Sequence, residues 1–550
     1  MIGIGIGIGK SMGGGAATAV AWFLAGDGIA PDIVMDATVA DGLTLDGGGA
    51  VASILNLGKA ADATLTPTDT NSPLVTVAGQ VGIQFDGGVD REPYRGAATY
   101  AASMFDSTRR MFALQVVTQS VLTGDQTGIS AGVTASGSPR FSYRLNTNGT
   151  TNSMELHTGT LRSVQGALQR VINTIIAQAF YHDGVNQATL WHNGAVLKLK
   201  DAQTTMVTDT APEMAVITIG ALGNGSFDLK GSAIAAAMDN SAALTLDHAF
   251  EKYAAAFTQF GVPSKPTLAL WSLGQSNAQA EFANADPITF AVGDGFWRQR
   301  TGGYSQEFRR DGLEHGSTSV GLSSPAIYFA DEWKTLTGQI PVFQELAFSG
   351  QPVTPGLTNK TAYWAPRNAE GDAAGDTSLM VTWHDDFLRF SDLLRYSPEF
   401  SIQNRVAFIL EGEADAVGFT AGDNVTTARL VTFMNAWLDD LKSLYDIQTF
   451  AIVNIGRNGA DLSAVNANAA GVAVVRAAWS QVIAARADSH DVFPHLNHLP
   501  DPFDIDDLVV DADGAWVSGV GFQVDGTHYT TAMYEAIGRT AARNLYAAIG

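Results

Sequence analysis

The chain has 550 residues, of which 46% are hydrophobic and 16% charged, with 55 acidic residues against 32 basic ones, a formal net charge of −23 and no cysteine. That balance excludes a disordered chain, which combines low hydrophobicity with high net charge. It also excludes disulfides, thiolate catalysis and cysteine-held metal, and it disfavours nucleic acid and anionic membrane, whose phosphates attract the opposite sign. At about 150 residues per domain the length allows three or four units. The 58 glycines exceed an average usage of about 7% and predict many turns.

Residues 2–9 alternate isoleucine and glycine. A strict period of two fits a strand with one apolar face, though glycine weakens it. Residues 1–36 are therefore read as a low-complexity arm, either frayed or adding to a partner's sheet edge. The apolar run Ala16–Ala25 falls short of the ~20 residues a spanning helix needs. Lys10 follows the apolar start instead of preceding it, so neither membrane insertion nor a secretory signal is expected.

From 37 to 262 the pattern is all-β. Gln80–Phe85, Met111–Thr118, Phe141–Leu145, Ile172–Tyr181, Ala188–His192 and Met214–Ile219 read as short strands between glycine, asparagine and aspartate turns, the spacing of a sandwich or jelly roll. Asp183-Gly184 and Asn193-Gly194 are tight-turn pairs. The hairpin Tyr181-His182-Asp183-Gly184 … Leu190-Trp191-His192-Asn193-Gly194, with the earlier Phe85-Asp86-Gly87, resembles the concanavalin-like, laminin-G-type sandwich. Residues 242–260 read as a closing helix, and 261–266, with its glycine and prolines, as a linker.

From 263 to 550 the rhythm changes. Short apolar runs at Thr267–Leu273, Pro341–Phe348, Arg405–Leu410, Thr449–Ile455 and Asp491–His495 alternate with helical stretches at Ser324–Thr335, Thr426–Tyr445, Gly471–Ala487 and Thr531–Ile549. Leu430, Phe433, Met434, Trp437, Leu438 and Leu441 recur at the spacing of one helix face. Alternating strands and helices predict an α/β three-layer domain on a parallel sheet, with ligands beyond the carboxyl ends of its strands.

Those strand ends carry Gly274-Gln275-Ser276-Asn277, Ser349-Gly350 and Glu411-Gly412-Glu413-Ala414-Asp415, and Asp525-Gly526-Thr527-His528 precedes the last helix. A serine hydroxyl needs a base within hydrogen-bond reach. Histidine supplies one, and an aspartate can fix its tautomer. In this order the four blocks resemble the SGNH hydrolases, nearest the sialate O-acetylesterase-like and acetylxylan-esterase-like carbohydrate esterases, over about 267–550. Ile455-Gly456-Arg457-Asn458-Gly459 and Val475-Arg476-Ala477-Ala478-Trp479 echo further family segments, with Trp479 where glutamine is usual.

The resemblance implies Ser276 as nucleophile, His528 as general base and Asp525 as the group orienting it. It implies an oxyanion hole from the backbone N–H groups of Ser276 and Gly350, and it sets Gln275, Glu411 and Glu413 beside the substrate. The family's third block usually begins with glutamine, whose amide is counted as a third donor. Glu411 stands there instead, and an ionised carboxylate repels an oxyanion. Either Glu411 is protonated, or Asn277 substitutes as donor, or activity is weak. Glu413 and Asp415 are expected to brace the loop. One or two of Trp191, Trp297, Trp364 and Trp383 are expected to stack on sugar rings, and insertions at 287–320 and 351–400 to border the pocket.

No metal and no cofactor are expected, because His384 with Asp385 and Asp386, and His490 with Asp491, lack a helical His-x-x-x-His partner. The expected function is a serine esterase that removes O-acetyl groups from a cell-surface polysaccharide. It would be carried as a homo-oligomeric spike on a phage-like particle, made in a bacterial cytoplasm without a signal peptide and acting outside. The alternatives are a glycan-binding adhesin without catalysis and a structural spike protein.

Overall fold

The computed structural model describes residues 21–59, 64–67, 70–86, 93–97, 110–122, 126–132, 140–145, 151–157, 161–167, 172–202, 216–221, 228–261, 264–278, 282–283, 296–300, 314–316, 322–366, 377–455, 468–493, 528–529 and 531–550. The Ile-Gly repeat, Gly87, Gly456–Gly459, Asp525, His495 and His498 lie outside these residues, as does most of the 287–320 insertion, and of Trp297 and His315 only the backbone is described.

The amino-terminal half is an antiparallel sandwich. In one sheet Met111–Gln119 lies between Lys230–Asp239 and Ile176–His182. Gln187–His192 and Ala195–Ala202 extend it on one side, and Gln80–Asp86 and Ile33–Asp36 pair with Lys230–Asp239 on the other. A second sheet carries Thr151–His157, Arg140–Leu145, Gln126–Gly132, Val216–Ile219 and Tyr94–Ala97 in succession. The sheets face each other. The backbone N–H of Ile129 in the second donates to the Gln115 side chain of the first at 3.0 Å, and a Cβ on Gly128 would meet Gln115 and Val117.

The sequence places the hairpin well. Asn193 and Gly194 have φ of 45° and 91° and join His192 to Ala195, the double left-handed turn that asparagine-glycine favours. Two boundaries differ from expectation. Residues 21–36, assigned to the arm, belong to the sandwich: Ile33, Val34 and Met35 are buried, and Trp22 donates its indole N–H to Asp36 at 3.0 Å. The strand expected from Ile172 starts at Ile176, because Asn173, at φ 57°, forms a turn first.

The carboxyl-terminal half is built on a seven-stranded sheet. Its strands are β1 (Lys265–Gly274), β2 (Phe296–Arg300), β3 (Glu314–Gly316), β4 (Ile340–Ala347), β5 (Phe400–Leu410), β6 (Thr449–Val453) and β7 (Ser489–Asp491). Their order is β3-β2-β4-β1-β5-β6-β7; only β2–β3 is antiparallel, and every other neighbouring pair is parallel. The helices are α1 (Leu246–Gln259), which follows the sandwich, then α2 (Pro325–Thr337), α3 (Leu379–Thr382), α4 (His384–Arg395), α5 (Glu413–Ala421), α6 (Thr427–Tyr445), α7 (Ala469–Ala485) and α8 (Thr531–Ile549). Lys265 and Pro266, expected in the linker, open β1, and the last strand ends at Asp491, where it was expected to begin.

Side chains alternate across the strands. Leu268, Leu270, Phe343, Val406 and Phe408 pack with Phe329 and Trp333 of α2 and Tyr534 and Ile537 of α8. Ala269, Trp271, Val342, Leu346, Ala407 and Ile409 face the other way, in the cluster that holds Phe390 of α4, Trp437 of α6 and Trp479 of α7. That second cluster runs on into the sandwich. The junction lies at the amino end of β5: Trp191 Nε1 donates to the Tyr396 carbonyl at 2.9 Å, Val196 N to Ser397 Oγ at 3.0 Å, and Glu399 N to the Gly194 carbonyl at 3.2 Å.

Candidate active site

The site is assembled at the carboxyl ends of β1, β4 and β5. Gly274 closes β1 at φ 146°, and a Cβ there would lie 2.0 Å from the Leu410 carbonyl oxygen of β5. Only glycine fits so close an approach of two backbones. The chain then turns through Ser276–Ala278. Ser276 is 7% exposed, and its Oγ lies 2.9 Å from His528 Nε2. The two residues are 252 positions apart in sequence.

Asn277 couples them structurally. Its side-chain oxygen accepts from Tyr529 N at 3.1 Å and from the Tyr534 hydroxyl at 3.4 Å, and its amide nitrogen donates to Glu413 Oε1 at 3.1 Å. The side-chain amide expected as an oxyanion donor is thus engaged in tying the serine turn to the histidine segment and to α5. Beside it, Phe348 N donates to the Gly274 carbonyl at 2.9 Å, which aligns the turn after β4 with the serine turn. Gly350 in that turn has φ 67°. Among the described residues, no hydrogen bond is made by the backbone N–H of Ser276 or of Gly350. Lys360 Nζ hangs over Gly350, 3.4 Å from where a Cβ would sit, and its ammonium has no partner among the described residues.

Beneath the serine lie three buried carboxyls. Glu411 is 0% exposed, so its carboxyl supports the site from below and does not reach its surface. Its Oε1 accepts from Gln275 Nε2 at 2.6 Å and from Gly412 N at 3.1 Å. Its backbone carbonyl accepts from Trp479 Nε1 at 3.0 Å. Its Oε2 has no hydrogen-bond partner among the described residues, nor does either polar side-chain atom of buried Asn454. Asn454 follows Val453, the register partner of Leu410. Gln275 is equally buried, at 3% exposure, and so takes up Glu411 instead of presenting itself to a ligand.

Burial pushes the Glu411 carboxyl well above the usual range, reinforced by the neighbouring Glu413 and Asp415 charges. Burial likewise raises Glu413, against the Asn277 hydrogen bond and the nearby His528. It lifts Asp415 to about 6, although Asp415 accepts from Val353 N at 2.8 Å, Thr354 N at 3.1 Å and Thr354 Oγ1 at 2.5 Å. A neutral Glu411 removes the repulsion that an anion in this position would exert. Glu413, expected beside the substrate, is 4% exposed and braces the serine turn through the Asn277 side chain instead, and Asp415 holds the loop that follows Gly350 through its backbone N–H groups.

Of the tryptophans expected to stack on sugar, Trp191 and Trp364 are 0% exposed and Trp383 6%. They are core side chains, and Trp191 seals the junction with the sandwich. The parts that sequence reasoning missed are the Asn277 relay, the Trp479 bond and Lys360. Asn277, expected as an oxyanion donor, makes bonds to Tyr529, Tyr534 and Glu413 that carry no sequence signal, and Lys360 lies 84 positions past Ser276 with no motif around it. No group of three or more histidine, aspartate or glutamate side chains suited to a metal occurs among the described residues.

No family model and no curated protein matches the chain. Among solved structures it is similar to the Ruminococcus gnavus IT-sialidase CBM40, at 16% identity over 30% of this chain and 92% of that one, TM-score 0.25. It is also similar to domain 4 of AbnA, a GH43 extracellular arabinanase from Geobacillus stearothermophilus, at 12% identity over 40% and 98%, TM-score 0.29. A third is the Trypanosoma rangeli sialidase, at 12% identity over 41% and 34%, TM-score 0.27. Likenesses this weak add nothing to the strand pairings, on which the antiparallel sandwich and the separate parallel sheet rest.

Proposed function

We propose that the chain is a serine esterase that removes acyl groups, foremost O-acetyl, from a glycan. The observation that carries this reading is the 2.9 Å contact between Ser276 Oγ and His528 Nε2 at the carboxyl end of a parallel sheet, where such folds place their ligands. In the proposed reaction His528 takes the Ser276 proton as Oγ attacks the ester carbonyl. The oxyanion faces the backbone N–H groups of Ser276 and Gly350. His528 then protonates the departing sugar hydroxyl, leaving an acyl-serine that water, deprotonated by the same imidazole, hydrolyses. Asp525 enters as the residue that orients His528, by resemblance alone. The test is acetate release from acetylated xylan by wild type and by Ser276→Ala, with Ser276 dependence as the expected result.

A second reading, glycan binding without catalysis, is favoured by Glu411, a carboxyl where the resembling esterases keep a donor amide. Equal background release by wild type and Ser276→Ala, with retained binding on a glycan array, would establish it. Display on a phage-like particle through residues 1–20 belongs to the same proposal, and light scattering of the purified chain tests the oligomeric spike it requires.

A further inference from the structure

Apolar side chains at a strand end normally turn inward, because leaving a phenylalanine in water forgoes roughly 2 kcal/mol. Phe348, the first residue past β4, is 39% exposed. It is held in place. Its N–H is fixed to Gly274 at 2.9 Å, two residues before Ser276. Its ring leans on Trp383, with centroids 5.8 Å apart and planes at 50°. Trp383 meets Trp364 edge-on at 5.5 Å, and Trp364 stacks on Trp437 at 5.2 Å. Three buried tryptophans thus back one exposed phenyl ring, and Val381, 44% exposed on α3, lies two residues from Trp383.

We infer that Phe348 is the platform on which a pyranose ring of the substrate stacks, setting the ester on that ring beside Ser276. The inference rests on the proposed esterase reading and deepens it. Binding sites join apolar and aromatic surface to a few placed polar groups. An open aromatic face suits the flat, C–H-lined side of a sugar ring, whereas an alkyl chain is better served by a walled pocket. The rigid backing matters, since an aromatic that is already oriented loses little freedom when a ligand covers it.

Two esters separate this role from a general one: acetylated xylotriose, which has rings to stack, and ethyl acetate, which has none. Both are assayed with the full chain. Phe348→Ala is expected to lower kcat/KM for acetylated xylotriose about tenfold more than for ethyl acetate, mainly through KM, and Phe348→Tyr to restore most of it. Equal losses on the two esters, or none on either, overturn the platform. Ser276-independent hydrolysis of both overturns the esterase reading instead. In that event calorimetric titration of xylotriose into Ser276→Ala and into the Ser276→Ala, Phe348→Ala pair decides the platform: weaker binding by the pair supports it, and equal or absent binding overturns it.

Discussion

The two ends of β5 differ in the charge they bury: Glu399, paired with Lys265, at one, and Glu411, Glu413 and Asp415 at the other. At Phe400 the sheet meets the sandwich through Glu399 N on the Gly194 carbonyl and Val196 N on Ser397 Oγ, with Trp191 fully buried between. At Leu410, roughly 33 Å away for an 11-residue strand, the chain runs into Glu411, Glu413 and Asp415, all buried carboxyls. An unpartnered buried polar atom costs about 1–3 kcal/mol; the carboxyl end incurs that cost at Glu411 Oε2 and at the Asn454 amide, the amino end at Glu399 Oε2. The amino end secures the fold. The carboxyl end forgoes stability, the pattern of sites that hold chemistry-bearing groups in place. The sandwich, docked at the far end and along α4, serves as a base for the sheet.

Removing the proposed nucleophile should separate the two ends most sharply. Ser276→Ala is expected to lower ester hydrolysis by at least about a thousandfold with little change in thermal unfolding, measured by acetate release and calorimetry. His528→Ala should cost a similar amount, and the double variant no more than either alone, since the two act as one unit. Gly194→Val attacks the opposite end. At φ 91° its Cβ would fall 2.5 Å from the Glu399 Cβ and 2.7 Å from a Phe257 ring carbon, a strain of about 3 kcal/mol. A lower and split unfolding transition is expected, with kcat within about twofold of wild type because the site is remote. A cooperative single transition at the wild-type temperature would show that the junction is not a structural support.

The two ends were unequally legible in the sequence. Period-two and helical patterns placed most of the elements they named to within a residue or two, but the strand Lys230–Asp239 and the helix His384–Arg395 were not among them; the Asn193-Gly194 turn could be read because its backbone demands those residues. The motifs named Ser276 and His528, which the structure brings within 2.9 Å of each other. What joins them was not legible. Asn277, Glu413 and Tyr529 come together only through the crossing of β1, α5 and the segment before α8, and no spacing encodes that. Burial was equally hidden: tryptophans near strand ends read as sugar platforms, yet Trp191 and Trp364 are core. Exposure of Phe348 depends on which neighbours fill the space beneath it.

The pH dependence of stability sharpens the contrast. A carboxyl whose folded value is raised binds more protons folded than unfolded, so stability falls as pH climbs between the two values. For Asp415 that window runs from 3.8 to about 6, a loss of about 3 kcal/mol as an upper figure. Glu411 adds a loss of the same sign that begins at its unfolded value and continues to higher pH. Glu411→Gln should therefore flatten the decline and raise the unfolding temperature at pH 8. The substituted side chain keeps an oxygen to accept from Gln275 and Gly412, and it replaces only Oε2, which has no hydrogen-bond partner among the described residues. An unchanged pH slope in denaturant titrations of this variant would mean that Glu411 is not the neutral group required here.

The smallest effect tests how the site manages without a third donor amide. With Glu411 turned to Gln275 and the Asn277 amide given to Glu413, a cation at the Gly350 turn is Lys360, whose ammonium lies over that glycine. A charge that acts on the oxyanion from a distance, without a directed hydrogen bond, contributes less than an oxyanion-hole donor, whose loss costs about 100-fold or more. Lys360→Gln is accordingly expected to lower kcat by only about three- to tenfold, at nearly constant KM, and the loss should shrink as salt screens the charge. Lys360→Arg should recover part of the rate because it restores the charge, spread over a planar guanidinium instead of held at one compact ammonium. A fall in KM-limited rate alone, insensitive to salt, would instead assign Lys360 to substrate capture at the rim and leave the backbone N–H groups of Ser276 and Gly350 as the whole of the oxyanion hole.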